Sequence, residues 1–347
     1  MHPILQKYAD FKVVSNDLSH VNGFTLTGLV HNEMYFLPPF LAHYRALGVK
    51  RFIFVDDRST DGTTEYLAAQ SDVMVVKSSY KYGDKIPPEE AAALSLPHQR
   101  VELLWRMALL EQYNTGTWSL HLDADEFLDL PGNMQLSELA GLLNPNKGRA
   151  IWSAMLDMYP ATVSDLQKMA LDETLDQTKP WFFDGQPHMR LRQAKPPKLR
   201  HPGSRARLLD QHGLNAKSKG SSGKIRRLLQ LPPKRYNNIR KPILFHWSIG
   251  DRFYNAHEVS LPTSKDVLLP LRHYKFNGSV AERIIRAQTT GGNTNGGREY
   301  NDLGKLLEAM RTGNPSFLYR KSVRFTGYQD FERTGNTFGI SRQRSAE

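Results

Sequence analysis

The chain contains no cysteine. Disulfides, thiolate metal sites and thiol nucleophiles are therefore excluded together, and any metal must be held by oxygen or imidazole ligands. It also lacks an apolar run of the ~18 residues that a membrane-spanning helix needs. Residues Met1 to Asp10 contain no basic stretch followed by an apolar one, which argues against a secretory signal and for a cytoplasmic protein. No segment repeats. Basic charge is concentrated in one segment: Lys195 to Lys241 holds fourteen Lys or Arg against a single acid, Asp210. That segment accounts for more than the whole chain's net charge of +11, so the rest is close to neutral. Tyr236 is the one aromatic between Lys195 and Lys241, too few for a stacking platform, and no nucleic-acid partner is expected.

What is present is an ordinary globular composition, 39% hydrophobic and 23% charged over 347 residues, enough for one large α/β domain or two modest ones. The first half alternates strand and helix signals. Phe24 to Val30 reads as a buried strand ending at His31-Asn32-Glu33. A helix follows with Pro38 and Pro39 in its first turn and closes at Gly48. Arg51 to Val55 is a second strand, ending in Asp56-Asp57, and Asp61 is placed to cap a helix running to Ala69. Asp72 to Val76, a long helix from Pro97 to Tyr113, and a strand from Trp118 to Leu122 complete the pattern, the last ending in Asp123-Ala124-Asp125-Glu126. Further strands are expected at Ala150 to Met158, Pro242 to Trp247 and Leu268 to Phe276, with helices at Val280 to Ala287 and Asp302 to Arg311.

Three polar clusters thus fall at the C-terminal ends of strands, the edge of a parallel sheet where ligands bind. Two carboxylates one residue apart, Asp123 and Asp125, suit a hard divalent cation that leaves room for phosphate oxygens; an acidic turn is the plainer alternative. Asp56 is positioned to contact a ribose or base, Asp61 to cap, and Asp57 to do either.

The runs Leu29 to Glu33, Phe40 to Gly48, Val55 to Thr64 and Leu122 to Leu128 resemble family 2-type glycosyltransferases of GT-A fold. More narrowly, they resemble a bacterial family 2-like branch in which the aspartate motif reads L-D-A-D-E-F. Asp157-Met158-Tyr159, Phe183-Asp184, Lys241-Pro242, His257-Glu258, His273 to Phe276 and Arg298 to Tyr300 extend the match in order, so it covers residues 22 to 305. The resemblance implies a Rossmann-like, mostly parallel mixed sheet over 20–280, interrupted by the basic insertion 195–241, with a helical extension and polar tail over 281–347.

It also implies that His31, Asn32, Glu33, Asp56 and Asp57 line a nucleotide-sugar pocket, and that Asp123 and Asp125 hold Mn²⁺ or Mg²⁺ with the donor diphosphate. His273 would complete the metal shell and Lys275 would neutralise phosphate; a core-edge histidine and a solvated lysine are the alternatives. For the base that an inverting transfer requires, Asp184 is preferred over Asp157, with Glu126 and Glu258 also open. Asp184-Gly185 equally reads as a plain turn.

The expected activity is sugar transfer from a nucleotide-diphosphate donor to a glycan or lipid-linked acceptor. Nucleotidyl transfer is a rival, but it calls for a glycine- and lysine-rich loop where His31-Asn32-Glu33 stands. The basic insertion admits three readings: a solvated loop, a contact with an anionic inner membrane leaflet, or a grip on an acidic acceptor.

Overall fold

The computed structural model describes residues 1–192, 195–215, 225, 239–290 and 298–340. Along the chain the elements are α1 (Pro3–Tyr8), β1 (Lys12–Val13), β2 (Thr25–Val30), α2 (Leu37–Ala46), β3 (Arg51–Asp56), α3 (Thr63–Ala68) and β4 (Val73–Lys77). Next come α4 (Pro88–Ala93), α5 (Val101–Tyr113), β5 (Trp118–His121), β6 (Glu126–Leu128), α6 (Leu136–Leu142), β7 (Ala150–Asp157), α7 (Val163–Met169) and β8 (Phe182–Asp184). The second half contains β9 (Met189–Arg192), β10 (Lys195–Leu199), α8 (Ser204–Gln211), β11 (Arg240–His246), β12 (Phe253–Asn255), β13 (Glu258–Val259) and β14 (Thr263–His273). It ends with α9 (Val280–Thr290), α10 (Arg298–Thr312), β15 (Ser322–Arg324) and α11 (Tyr328–Arg333).

Nine strands form one sheet in the order β1-β4-β3-β2-β5-β11-β7-β14-β6. Strands β4, β3, β2 and β5 are mutually parallel. β11 runs against both β5 and β7, so β7 and its parallel neighbour β14 share the direction of β5. Only β1, β11 and β6 oppose the other six. The mixed, mostly parallel α/β class expected from the sequence is what forms.

The central strands are continuous apolar runs because both faces are covered. In β3, Phe52 and Phe54 enter the core with Phe40, Tyr44 and Phe127, while Ile53 and Val55 enter the opposite core with Met74, Trp105 and Leu109. Gly28 in β2 is required by close strand approach, since a Cβ there would lie 2.7 Å from the Leu122 carbonyl. Gly48, at φ 89°, ends the chain's departure from α2 as expected.

Two local expectations are corrected. The helix expected from Pro97 begins at Val101, because Arg100 is still extended, and a short helix that was not expected, α4, precedes it. Asp61 stands one residue before the N-cap Gly62, and its carboxylate accepts from the N–H groups of Thr63 and Met34 (3.0 and 3.1 Å), tying α3 to the β2–α2 turn. Residues 216–224 and 226–238 of the basic insertion, and 291–297 of the Gly/Asn-rich loop, lie outside the described residues. No helix among the described residues is long and apolar enough to cross a membrane.

Candidate active site

Because β2, β3, β5, β7 and β14 are parallel, their C-terminal ends share one edge of the sheet. This edge gathers His31-Asn32-Glu33, Asp56-Asp57, Asp123, Asp157 and His273. Strand register sets the centre. His273 lies opposite Asp157 on β7 and opposite Glu126 on β6. Antiparallel β11 begins at this same edge and delivers Lys241 between β5 and β7.

His273 Nδ1 is 2.7 Å from Asp157 Oδ1, which leaves Nε2 facing Asp125 Oδ2 at 3.6 Å. Burial works against charge on the imidazole, but Asp125 and Asp157 outweigh it and lift its pKa to about 9. Asp157 also accepts from Arg205 Nε at 2.9 Å and Ser204 Oγ at 3.3 Å, and its side chain is fully buried. Asp125 receives Arg283 Nη1 at 3.2 Å, and Arg283 reaches Glu33 at 3.5 Å on its other side. Burial raises the Glu33 carboxyl to about 7, with Arg283 opposing and Asp125 reinforcing.

Asp123 is more open than Asp125 and Asp157, its side chain 38% exposed. Lys241 Nζ sits 2.7 Å from its Oδ2, and Arg106 Nη2 is 3.3 Å from Oδ1. Lys241 itself is 2% exposed and also bonds both oxygens of Glu126, at 2.8 and 2.7 Å. Burial works against the ammonium, but Asp123 and Glu126 hold its pKa above the usual lysine value. Arg106 is fixed from beneath by His121: it donates to His121 Nε2 at 2.7 Å, so Nδ1 carries the proton and donates to Thr27 Oγ1 at 2.9 Å. Burial and the Arg106 charge keep that imidazole neutral.

Lys275 Nζ pairs with Glu299 at 3.1 Å and lies 4.7 Å from the Tyr300 ring. Glu299 also binds Arg205, so α10 closes the group from above. Arg286 of α9 donates to the carbonyls of His31 (3.4 Å) and Asn32 (3.1 Å).

The turns after β2 and β3 face each other. Asn32 (φ 54°) and Arg58 (φ 62°) both adopt left-handed backbone. Asn32 accepts from Thr60 N–H at 2.7 Å, and Asn32 N–H donates to Ser59 Oγ at 2.9 Å. His31 Nδ1 is 2.6 Å from the Asp57 carbonyl. Asp57 accepts from Tyr82 N–H at 3.2 Å, and burial raises its pKa. Asp56, expected to meet a ligand, is spent internally: it accepts from Thr64 Oγ1 and Ser59 N–H and pairs with Lys77, and its side chain is fully buried.

The structure brings Asp123, Asp125, Asp157, His273, Lys275 and Glu33 together and places Asp184 in a different network. Asp184 accepts from Arg207 Nε and Nη2 (3.0 and 2.8 Å) and from Tyr159 OH (2.7 Å), 1% exposed. A carboxylate so enclosed and so fully bonded fits the turn-and-core alternative better than the base role preferred from the sequence. Glu258 is paired with Arg240, and Glu126 with Lys241.

Among the described residues no three His, Asp or Glu side chains converge as a ready-made metal cage. The Asp125–His273 pair nevertheless fits a divalent cation. Two ligands 3.6 Å apart can share one ion, and Asp157 orients the ring as a carboxylate behind a metal-bound histidine does. Magnesium and manganese characteristically take one or two protein ligands and complete their shell with substrate phosphate and water. The third expected ligand, Asp123, faces Lys241 and Arg106 instead.

Sequence reasoning gave no role to Arg106, Lys241, Arg205, Arg283 or Glu299. One signal was available: Arg106 is the sole cation inside the apolar run Leu103-Leu104-Trp105 to Leu110.

No family model matches this chain, and no curated protein matches it. Among solved structures it is similar to the mannosyltransferase PcManGT from Pyrobaculum calidifontis in complex with GDP-Man and Mn²⁺. The identity is 13% over 95% of this chain and 73% of that chain, with a TM-score of 0.27. At that score the likeness assigns nothing to this site.

Proposed function

We propose that the chain is a nucleotide-sugar-dependent glycosyltransferase that binds its donor along the C-terminal edge of the sheet. The observation that carries the reading is the Asp125–His273–Asp157 arrangement, flanked by cations and set in register at the strand ends. A bound divalent cation, held by Asp125 and His273, would neutralise the charge that grows on a departing diphosphate. Lys275 and Arg283, already at this point, add positive charge for the same purpose. Asp123, more open than Asp125 and Asp157, is kept ionised and directed by Lys241 and Arg106, in a position to meet the donor's ribose. Asn32, Glu33 and Asp57 border the nucleotide end.

In this reading Asp157 acts by fixing His273, and Asp184 braces the fold. The acceptor is a hydroxyl of a glycan or lipid-linked sugar, and the transfer inverts the anomeric centre, as the sequence resemblance implies. The test is a thermal-shift series with nucleoside diphosphates and nucleotide-sugars, with and without Mn²⁺, on wild type and Asp125→Asn. At a hundred times Kd a specific donor adds about 2.7 kcal/mol of stability. The reading expects one nucleotide to raise the midpoint only with metal, and the variant to lose that rise while keeping its own midpoint. A folded wild-type protein that answers no nucleotide would refute it.

A further inference from the structure

We propose that the outward face of the β9–β10 hairpin docks the enzyme on an anionic lipid surface. Apart from a bulge between Lys195 and Lys198, the hairpin alternates inward and outward residues. Met189, Leu191 and Leu199 turn inward and pack on Trp152, Ala154 and Leu268 of the main sheet. Arg190, Arg192, Lys198 and Arg200 turn outward and are exposed. Register sets Lys198 beside Arg190 and Leu199 beside Met189, so both strands contribute to one basic face.

No acidic residue occurs between Asp184 and Asp210. The two cations of that stretch that do have carboxylate partners, Arg205 and Arg207, point inward to Asp157 and Asp184. Among the described residues no carboxylate pairs with Arg190, Arg192, Lys198 or Arg200. Four desolvatable but unspent cations on one face are a source of binding energy for an anionic partner.

The shape selects the partner class. Neighbouring outward residues on a strand are about 7 Å apart and adjacent strands about 5 Å apart, which makes a flat patch rather than a pocket. Recognition of one sugar or phosphate group calls for a concavity with converging polar groups. Single-stranded nucleic acid calls for aromatic platforms, and residues 189–200 contain no aromatic. A plane of anionic headgroups asks only for clustered positive charge.

The hairpin is also tied to the candidate site. Arg240 Nη1 donates to the Pro197 carbonyl at 2.9 Å, and Lys241 follows directly. At the other end three residues lead from Arg200 to Ser204 and Arg205, which bond Asp157. Docking through this face would bring the site to the level where a lipid-linked acceptor is anchored.

The experiment is co-sedimentation of the full chain with vesicles of phosphatidylcholine alone and of phosphatidylcholine mixed with phosphatidylglycerol, across a salt series. It compares wild type, the triple variant Arg190→Gln/Arg192→Gln/Lys198→Gln, and a second variant with Lys217, Lys219, Lys224, Arg226 and Arg227 changed to Gln. Wild type is expected to partition onto the mixed vesicles only and to detach as salt rises. The triple variant should bind about a hundredfold more weakly, with its thermal midpoint and nucleotide response unchanged. Those last two readouts separate this proposal from the donor-site reading. Equal binding of wild type to both vesicles, or of the triple variant and wild type to the mixed ones, would overturn it. So would loss of binding in the second variant alone. Tighter retention on RNA than on vesicles, abolished in the triple variant, would make the face a nucleic-acid surface instead.

Discussion

The imidazole of His273 bridges two carboxylates, with Nδ1 2.7 Å from Asp157 and Nε2 3.6 Å from Asp125. This position predicts a pH signature in the metal-free protein. The folded pKa of about 9 exceeds the ordinary histidine value of about 6.5. The stabilisation from the charged ring is therefore complete below about pH 6.5 and is lost as pH rises through 9, on the order of 3 kcal/mol in all. Chemical denaturation at pH 6 and pH 9 should show wild type losing stability over this interval, and His273→Gln losing less. Parallel curves for the two proteins would contradict the bridging geometry.

Glu33 titrates with the same sign at lower pH. Its carboxyl is raised to about 7, so the folded chain favours the neutral form and loses stability as pH rises from about 4.5 through 7. Glu33→Gln removes that cost while keeping the side chain's size. Relative to wild type, the variant should be more stable at pH 8 than at pH 5, by roughly 1–3 kcal/mol. A difference independent of pH would mean that Arg283 fully compensates the Glu33 charge in the folded state.

Lys241 is the cation on which the aspartate turn depends. Its ammonium lies between Asp123 and Glu126 and is nearly inaccessible, so Lys241→Met would leave the Glu126 carboxylate buried without its counter-ion. Breaking such a pair from one side typically costs about 3–5 kcal/mol. The double variant Lys241→Met/Glu126→Leu removes both charges and should recover most of that loss, read as the thermal midpoint. Recovery of fold without recovery of nucleotide binding would separate the structural duty of Lys241 from its hold on Asp123.

The sheet was legible because β2, β3, β5, β7 and β14 are apolar runs that stop abruptly at polar residues, and in a parallel sheet those stops coincide in space. Asp123, Asp125 and Asp157 were singled out for this reason; His273 came from the family resemblance, since the strand expected over Leu268 to Phe276 runs through it. The cations that complete the site were not. Arg205 and Arg283 sit on helices whose sequence gives ordinary amphipathic reasons for a charge, and their partners Asp157 and Asp125 are distant in the chain. Asp56 misled because a strand-end carboxylate serves a ligand or its own turn equally well; Ser59, Thr64 and Lys77 decide the matter, and only the fold brings Lys77 to it. The start of α5 was set four residues early because Pro97 suits a helix's first turn, whereas the backbone is still extended at Arg100.

The two aspartates considered as bases should part company on substitution. Asp184→Asn removes a charge that Arg207 meets through two of its nitrogens, inside a network with Tyr159 that links β8 to α8. The Arg207 guanidinium would then be buried without its carboxylate, at a cost of about 3–5 kcal/mol. Turnover by the fraction that remains folded should be close to wild type. Asp157→Asn keeps one carbonyl oxygen, which can accept from His273 or from Arg205 but not from both. Those two groups retain Asp125 and Glu299, so the stability loss should be smaller, but the charge that orients and polarises the imidazole is gone. Loss of such a carboxylate behind a metal-binding histidine typically costs about 10- to 100-fold in metal affinity or activity. Measuring unfolding midpoints, the Mn²⁺ dependence of donor binding and sugar-transfer rates on the same two variants distinguishes the roles. A well-folded Asp184→Asn protein with normal donor binding and no transfer would return the base to Asp184, and would mean that the Arg207 pair opens when the acceptor binds.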